Sequence, residues 1–302
     1  MTGWFGGIDG GQSATTAVIG DAGGRECGRG AGPPADLVGT ERDSPRRAAA
    51  LDAALDAALE AAGLAPETPL EAVVAGISGF DPGSTMPVLH HRIGSLRVLH
   101  DATIAHAGAL GGACGIVVIA GTGSVALGNE PGASHVRAGG WGHYFGDEGS
   151  ALWTARAALA LAMRRSDRAA PCALGAAALD RFGVPDLREV QHAFAHGEIG
   201  RPELAAFART VLACAASGDE DACDIVERAC GELAELVAIV DERLATLDPR
   251  VVTYSGGMFA DRDLAGAFAR AVRRRLPHAD VRPPVGDAAS GALRLAYQAA
   301  RA

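Results

Sequence analysis

One pattern constrains this chain more than any other. A short strand-like run, a glycine-rich turn and a second strand-like run open the sequence, and the same arrangement returns near residue 115. Residues 4–9 lead into the turn Asp9-Gly10-Gly11-Gln12-Ser13-Ala14, and 15–20 and 25–31 read as further strands, so a β-meander is expected. Helical periodicity follows over 45–62 and stops at Gly63, a residue suited to close a helix. Residues 70–78 read as a buried strand, 84–93 as a helix, 96–100 as a strand and 102–110 as a helix, giving the order βββαβαβα. The second round starts with strands at 115–120, 124–128 and 134–138. Helices are expected over 148–163, 173–182, 186–195, 202–217 and 219–246. A strand at 250–254, a helix at 262–275, a strand at 279–282 and a terminal helix from 287 complete it. A meander followed by α/β crossovers thus occurs twice, and two α/β lobes invite a ligand in the cleft between them. The expected lobes are 1–110 and 111–302, with a hinge in the Gly-rich stretch 108–114 and the terminal helix packing back on the first lobe.

With 302 residues and 48% hydrophobic side chains, the chain is long enough for two cores. A net charge of −9 argues against a nucleic-acid partner, and Arg273-Arg274-Arg275 reads as a solvated helix end. All 27 basic residues are arginine. A Walker A loop and a protein-kinase site each need a lysine, so both are excluded. The six cysteines form no CxxC pair, and Cys223 and Cys230, seven apart on an expected helix, read as core. The start lacks the basic and apolar regions of a secretory signal, and no apolar run is long enough for a membrane span. Reduced thiols and a cytoplasmic location are therefore expected.

Five segments carry chemistry. The first turn offers backbone N–H groups and hydroxyls to phosphate oxygens, and Asp9 a hard oxygen donor to Mg²⁺; a plain hairpin with a capping Asp also explains it. Gly121-Thr122-Gly123-Ser124 lies between two expected strands, where glycine permits close backbone approach, although an ordinary hairpin has the same look. The stretch from Gly139 to Ser150, GGWGHYFGDEGS, joins five glycines, two acids and three aromatic rings in one loop before a helix. Asp147 or Glu148 could cap that helix, yet a cap does not require the dense glycine and aromatic surround. Ser255-Gly256-Gly257-Met258 follows a strand and lets a flat base or ribose approach the backbone; a strand-to-helix turn is its blander reading. Asp101 ends a strand before a helix, where it serves as an N-cap or accepts a hydroxyl proton in a closing cleft.

In this order the segments resemble the N-acetylglucosamine kinase branch of the actin/hexokinase superfamily, which is grouped with BadF/BadG/BcrA/BcrD-type ATPases. The resemblance spans nearly the whole chain, and GGWGHYFGDEGS is its specific part. It implies an α/β fold of two ribonuclease H-like, actin/hexokinase-type lobes with an interlobe cleft. It implies ATP and Mg²⁺, a sugar acceptor phosphorylated at its 6-hydroxyl, and a homodimer. By the same resemblance Asp9 lies near Mg²⁺, and Gly11, Gln12, Ser13 and Thr15 form the first phosphate loop. Gly121, Thr122 and Gly123 form the second, and Gly256, Gly257 and Met258 the adenosine motif. Asp101 matches the catalytic base, and Asp36, Ser124, Gly140, Trp141 and Asp147 match sugar-contacting positions. A kinase of another polyol or hexose stays open. An ATP-driven activator of a dehydratase is the other alternative, but such proteins hold an iron–sulfur cluster by paired cysteines that this chain lacks. A non-catalytic sensor fits poorly with Asp9, Asp101 and both phosphate loops present.

At Asp36 the family usually has Asn. An ionised Asp only accepts hydrogen bonds, whereas Asn both donates and accepts. A carboxylate here favours a ligand ammonium or extra hydroxyl donors over an acetamido group, and so a free amino sugar or another polyol. A kinase assay comparing the two sugars is expected to prefer glucosamine over N-acetylglucosamine by about 10-fold in kcat/KM, the scale of one charge-assisted hydrogen bond. Preference for the acetylated sugar rejects this role for Asp36.

Overall fold

The computed structural model describes residues 3–11, 14–35, 45–80, 86–132, 134–244 and 250–301. The chain divides into two compact units, residues 1–114 with 283–302, and residues 115–282. The first unit runs β1 (Trp4–Gly10), β2 (Thr15–Asp21), β3 (Glu26–Gly32), α1 (Pro45–Ala61), β4 (Leu70–Ile77), β5 (Ile93–His100) and α2 (Asp101–Ala109), and it takes the C-terminal helix α10 (Ala288–Ala299). Its sheet has the order β3-β2-β1-β4-β5. The meander β1 to β3 is antiparallel, whereas β4 and β5 run parallel to β1.

The second unit contains β6 (Gly115–Ala120), β7 (Ser124–Asn129), β8 (Val136–Gly139), α3 (Ala151–Asp167), α4 (Ala173–Phe182), α5 (Leu187–Ala195), α6 (Arg201–Ala206), α7 (Ala208–Ala216), α8 (Glu220–Asp241), β9 (Val251–Ser255), α9 (Arg262–Arg275) and β10 (Asp280–Val281). Read from its β8 edge, this sheet runs β8-β7-β6-β9-β10, the same plan as the first. The expected duplicated ribonuclease H-like α/β architecture is the one found. Among the described residues no helix is long and apolar enough to cross a membrane.

Two local expectations are corrected. Among the described residues of 84–93, none is helical: 86–92 carry no regular structure and β5 already begins at Ile93, so the first unit reads βββαββα. Pro87 has no N–H for a helix, and the Arg92 carbonyl instead accepts from Leu70 N. The helix expected over 202–217 breaks at Phe207, whose ring is fully buried and lies 5.6 Å from that of Phe182.

Strand alternation builds two cores on the first sheet. Ile8, Ile19, Val73, Ala75 and Ile77 face Leu51, Leu55 and Leu59 of α1 on one side. Phe5, Val18, Ala72 and Val74 face Ile104 of α2 and Ala289, Ala292 and Leu293 of α10 on the other. Helix α1 is amphipathic by spacing, burying Ala50, Leu51, Ala54, Leu55, Ala58 and Leu59. Glycine and alanine let backbones touch. A Cβ on Gly108 of α2 would fall 1.9 Å from the Asp287 carbonyl, and one on Gly291 of α10 2.0 Å from the Ile104 carbonyl. Those partners are main chain and cannot swing aside. Gly291→Ala is therefore expected to cost about 3 kcal/mol or more, at the upper end for overpacking. Denaturant unfolding of the full chain measures it, and a change below about 1 kcal/mol contradicts the packing.

Candidate active site

The parallel strands of the first sheet bring chemistry to one edge. Their register places Gly10 beside Ile77, and Ile77 beside His100. Asp9, Ser78 and Asp101 thus gather at the carboxyl ends of β1, β4 and β5, where α/β sheets present ligand sites. The turn after β1 is closed by Gly11 N–H donating to the Ala14 carbonyl at 3.1 Å, and Ser78 N–H donates to the Gly10 carbonyl at 3.1 Å.

The Asp101 carboxylate is held from several sides. His100 Nδ1 lies 2.6 Å from its Oδ1, and Ala102 N–H donates to the same oxygen at 2.7 Å. Burial works to raise this carboxyl, but His100, the Ser78 side chain and the Ala102 N–H outweigh it and hold it below the usual carboxylate value. Asp101 is therefore ionised at neutral pH. Asp9 goes the other way. Burial first, then the charges of Asp101 and Asp287, push it up to about 6. Asp287 caps α10 by accepting from Ser290 N–H at 2.8 Å, and takes a 2.7 Å bond from Arg29. Burial tends to raise Asp287 as well, yet Ser290 and Arg29 leave it lowered.

In the second unit, β6 and β9 are parallel, with Ile119 beside Ser255. The turns after them, Gly121–Gly123 and Gly256–Met258, are consequently neighbours. Gly256 has φ +99°, and a Cβ there would meet the Ala120 carbonyl at 2.4 Å, so no other residue fits. At Gly121 and Gly257 the space a Cβ would take is open. A ligand can approach the main chain there, which suits a nucleotide, and the Gly121 N–H itself is committed to the Gly123 carbonyl.

The loop from Gly139 locks onto this turn. Gly140 N–H donates to the Ser124 carbonyl, and Asp147 Oδ1 accepts from Ser124 N–H at 3.2 Å. Asp147 adopts φ +63°, the left-handed region that Asp tolerates better than most residues. Burial is the main cause of its raised pKa, with Ser124 N–H acting against it. A Cβ on Gly123 would sit 2.8 Å from that carboxylate. Ser150 caps α3, and Ala151 N–H donates to the Gly121 carbonyl, so turn, loop and helix start form one piece. Trp141, Tyr144 and Phe145 stand exposed, Trp141 at 76%.

Two expected ligand residues have other duties. Thr15 is fully buried and its hydroxyl donates to the Pro33 carbonyl at 2.6 Å, so it shapes the turn instead of offering a donor. The buried Ser124 hydroxyl donates to the Glu148 carbonyl at 2.7 Å, and it too acts as scaffold. Gln12, Ser13 and Asp36 lie outside the described residues. Sequence reasoning missed Ser78, His100 and Asp287. His100 adjoins Asp101 in the chain and could have been noticed, whereas Ser78 and Asp287 reach the acids only through strand register and the return of α10.

A family model described as BadF/BadG/BcrA/BcrD ATPase matches residues 7–296. The chain is 29% identical over 234 residues to an N-acetylmuramic acid/N-acetylglucosamine kinase of Clostridium acetobutylicum, covering 74% of this chain and 76% of that protein. A solved structure of a candidate N-acetylglucosamine kinase from Chromobacterium violaceum superposes with a TM-score of 0.78 at 27% identity, over 97% of this chain and 99% of that one. A Streptomyces griseus ROK family glucokinase, solved with glucose and AMPPNP, shares the fold with a TM-score of 0.59 at 19% identity, over 98% of this chain and all of that one.

Asp9, Asp101 and Asp287 crowd acidic charge where hard oxygen donors fit Mg²⁺. An acid whose pKa rises on folding binds its proton more tightly in the folded chain, so ionising Asp9 opposes folding. That cost is absent below pH 3.8, grows towards pH 6 and is complete above it. A rise of about 2 units corresponds to on the order of 3 kcal/mol. Asp9→Asn is expected to stabilise the metal-free protein by up to this amount at pH 8 and by little at pH 4. Denaturant melts at the two pH values check it; equal effects at both contradict the crowding.

Proposed function

The chain belongs to the BadF/BadG/BcrA/BcrD ATPase family, and on that premise we propose that it is an ATP-dependent sugar kinase acting on the 6-hydroxyl of an amino sugar. The observation that carries this reading is the ionised Asp101 carboxylate, fixed by His100, Ser78 and Ala102 at the end of β5. Asp101 orients the acceptor hydroxyl and takes its proton as the new P–O bond forms and the bond to the leaving ADP oxygen breaks. A base with a low pKa suffices, because in a loose transition state the proton leaves late.

The remaining roles follow from donor chemistry. Gly121–Gly123 and Gly256–Met258, neighbouring turns of the second unit, hold the nucleotide through backbone contacts. Asp9 holds Mg²⁺, which when bound supplies positive charge against the triphosphate. Asp147 accepts from sugar hydroxyls, Gly140 keeps the loop close to the ring, and the exposed indole of Trp141 offers a flat apolar face. The amino-sugar preference is supported by the names of two relatives above 25% identity, an N-acetylmuramic acid/N-acetylglucosamine kinase and a candidate N-acetylglucosamine kinase.

An ATP-coupled screen over amino sugars, hexoses and cyclitols tests the proposal. One amino sugar is expected to turn over best, and Asp101→Asn to lower kcat about 10²–10⁴-fold with the melt little changed. Turnover of none of these acceptors sinks the kinase assignment. Activity of Asp101→Asn within about 10-fold of the parent removes Asp101 from the role of base.

A further inference from the structure

We propose that the first unit also carries a binding site for a divalent transition-metal ion, built from Asp52, His90 and His91 with Asp56 at its rim. Candidate donor atoms of Asp52, His90 and His91 all lie within 4.8 Å of one another. His90 Nδ1 is 3.0 Å from Asp52 Oδ2, and His90 Nε2 is 3.6 Å from Asp56 Oδ1. His91 Nε2 stands 3.7 Å from Asp52 Oδ1 and 3.5 Å from Asp56 Oδ1. None of these residues has a part in the phosphoryl transfer proposed above.

Hydrogen bonding alone accounts poorly for His91. Its side chain has no exposure, and its ring meets the Pro66 carbonyl at 3.4 Å, the Asp52 carbonyl at 3.5 Å and the two carboxylates at 3.5 and 3.7 Å. A formed N–H···O bond is shorter, roughly 2.7–3.2 Å. A tetrahedral zinc ion with bonds of about 2.0–2.1 Å sets its ligands about 3.3 Å apart, and one donor atom from each of Asp52, His90 and His91 already lies within 4.8 Å of the others, so small side-chain shifts bring them to that spacing. The Pro66 carbonyl lies on the Nδ1 side of the ring, and Nε2 is the nitrogen turned towards the acids.

Local sequence explains the cluster. Asp52 and Asp56 are four apart on α1, so both carboxylates lie on one helix face. The non-helical segment before β5 delivers His90 and His91 together, and His90 N–H donates to Asp52 Oδ1 at 3.2 Å. Two imidazoles and one or two carboxylates suit Zn²⁺, Co²⁺ or Ni²⁺ better than Mg²⁺ or Ca²⁺, which take oxygen sets. A bound ion would clip the β4–β5 connection to α1.

The test uses the full chain, tag removed and stripped with EDTA, titrated with Zn²⁺ by calorimetry. One equivalent is expected to bind at micromolar affinity or tighter, weakened at least 10-fold in His90→Ala and in His91→Ala. Loading with Co²⁺ is expected to give visible d–d bands without thiolate charge transfer. The His90 side chain is 59% exposed, so His90→Ala remains informative even where His91→Ala fails to fold. Absence of a bound equivalent, unchanged affinity in His90→Ala, or a thiolate band from the cysteines overturns the site.

Discussion

Three carboxylates kept close against their mutual repulsion are the constraint on which the first unit rests. Asp9 lies at the end of β1, Asp101 directly follows the parallel strand β5, and Asp287 caps the helix that returns from the end of the chain. Nothing local to any of the three favours this meeting. It is enforced by strand register and by α2 and α10 touching main chain to main chain at Gly108 and Gly291. Apolar cores on both faces of the sheet, with Ile, Leu and Val against α1 and Phe5, Val18, Ile104 and Leu293 on the other side, supply stability against the crowding. The high glycine and alanine content thus has a structural use, because such close helix contacts tolerate no larger side chain.

The second unit repeats the scaffold and changes what stands at its edge. Where the first sheet ends in acids, the second ends in glycine turns after β6 and β9. Acids suit a metal and an acceptor hydroxyl, while bare backbone suits phosphates and a base. Strain sits in the second unit too. Asp147 occupies a left-handed conformation, kept in place by Ser124 and the start of α3. Such strain is retained where the surroundings over-determine it, as they do at this loop.

The strands and most helices were legible because alternation and helical spacing are local signals. The failures have physical causes of the opposite kind. Residues 86–92 resemble a helix in composition, but Pro87 and the His90 N–H donating to the Asp52 carboxylate of α1 decide otherwise. Phe207 breaks a helix with neither glycine nor proline, because its ring belongs in the core beside Phe182. At the site, Asp9 and Asp101 were visible as acids at strand ends. Thr15 and Ser124 match ligand positions by resemblance, and in the fold each hydroxyl donates to a nearby carbonyl. Ser78 and Asp287 carried no signal, since their relation to the acids exists only in three dimensions.

The two acids at the first edge are pushed apart in pKa, and this separation fits the two roles proposed for them. The environment that lowers Asp101 consists of donors: an imidazole, a hydroxyl side chain and a backbone N–H. Such a shell makes the carboxylate a weak base but fixes where it points. That exchange suits the role proposed for it, since phosphoryl transfer through a loose transition state gains more from orientation than from basicity. Asp9 has too few donors to offset its burial beside two other acids, so it holds a proton up to about pH 6. A group in that condition gains most from a cation, and the metal binding proposed there would displace a proton at acidic pH. The His100–Asp101 pair and the solitary Asp9 are thus two answers to the same crowding. One is neutralised by the protein's own donors, and the other is left open to a ligand.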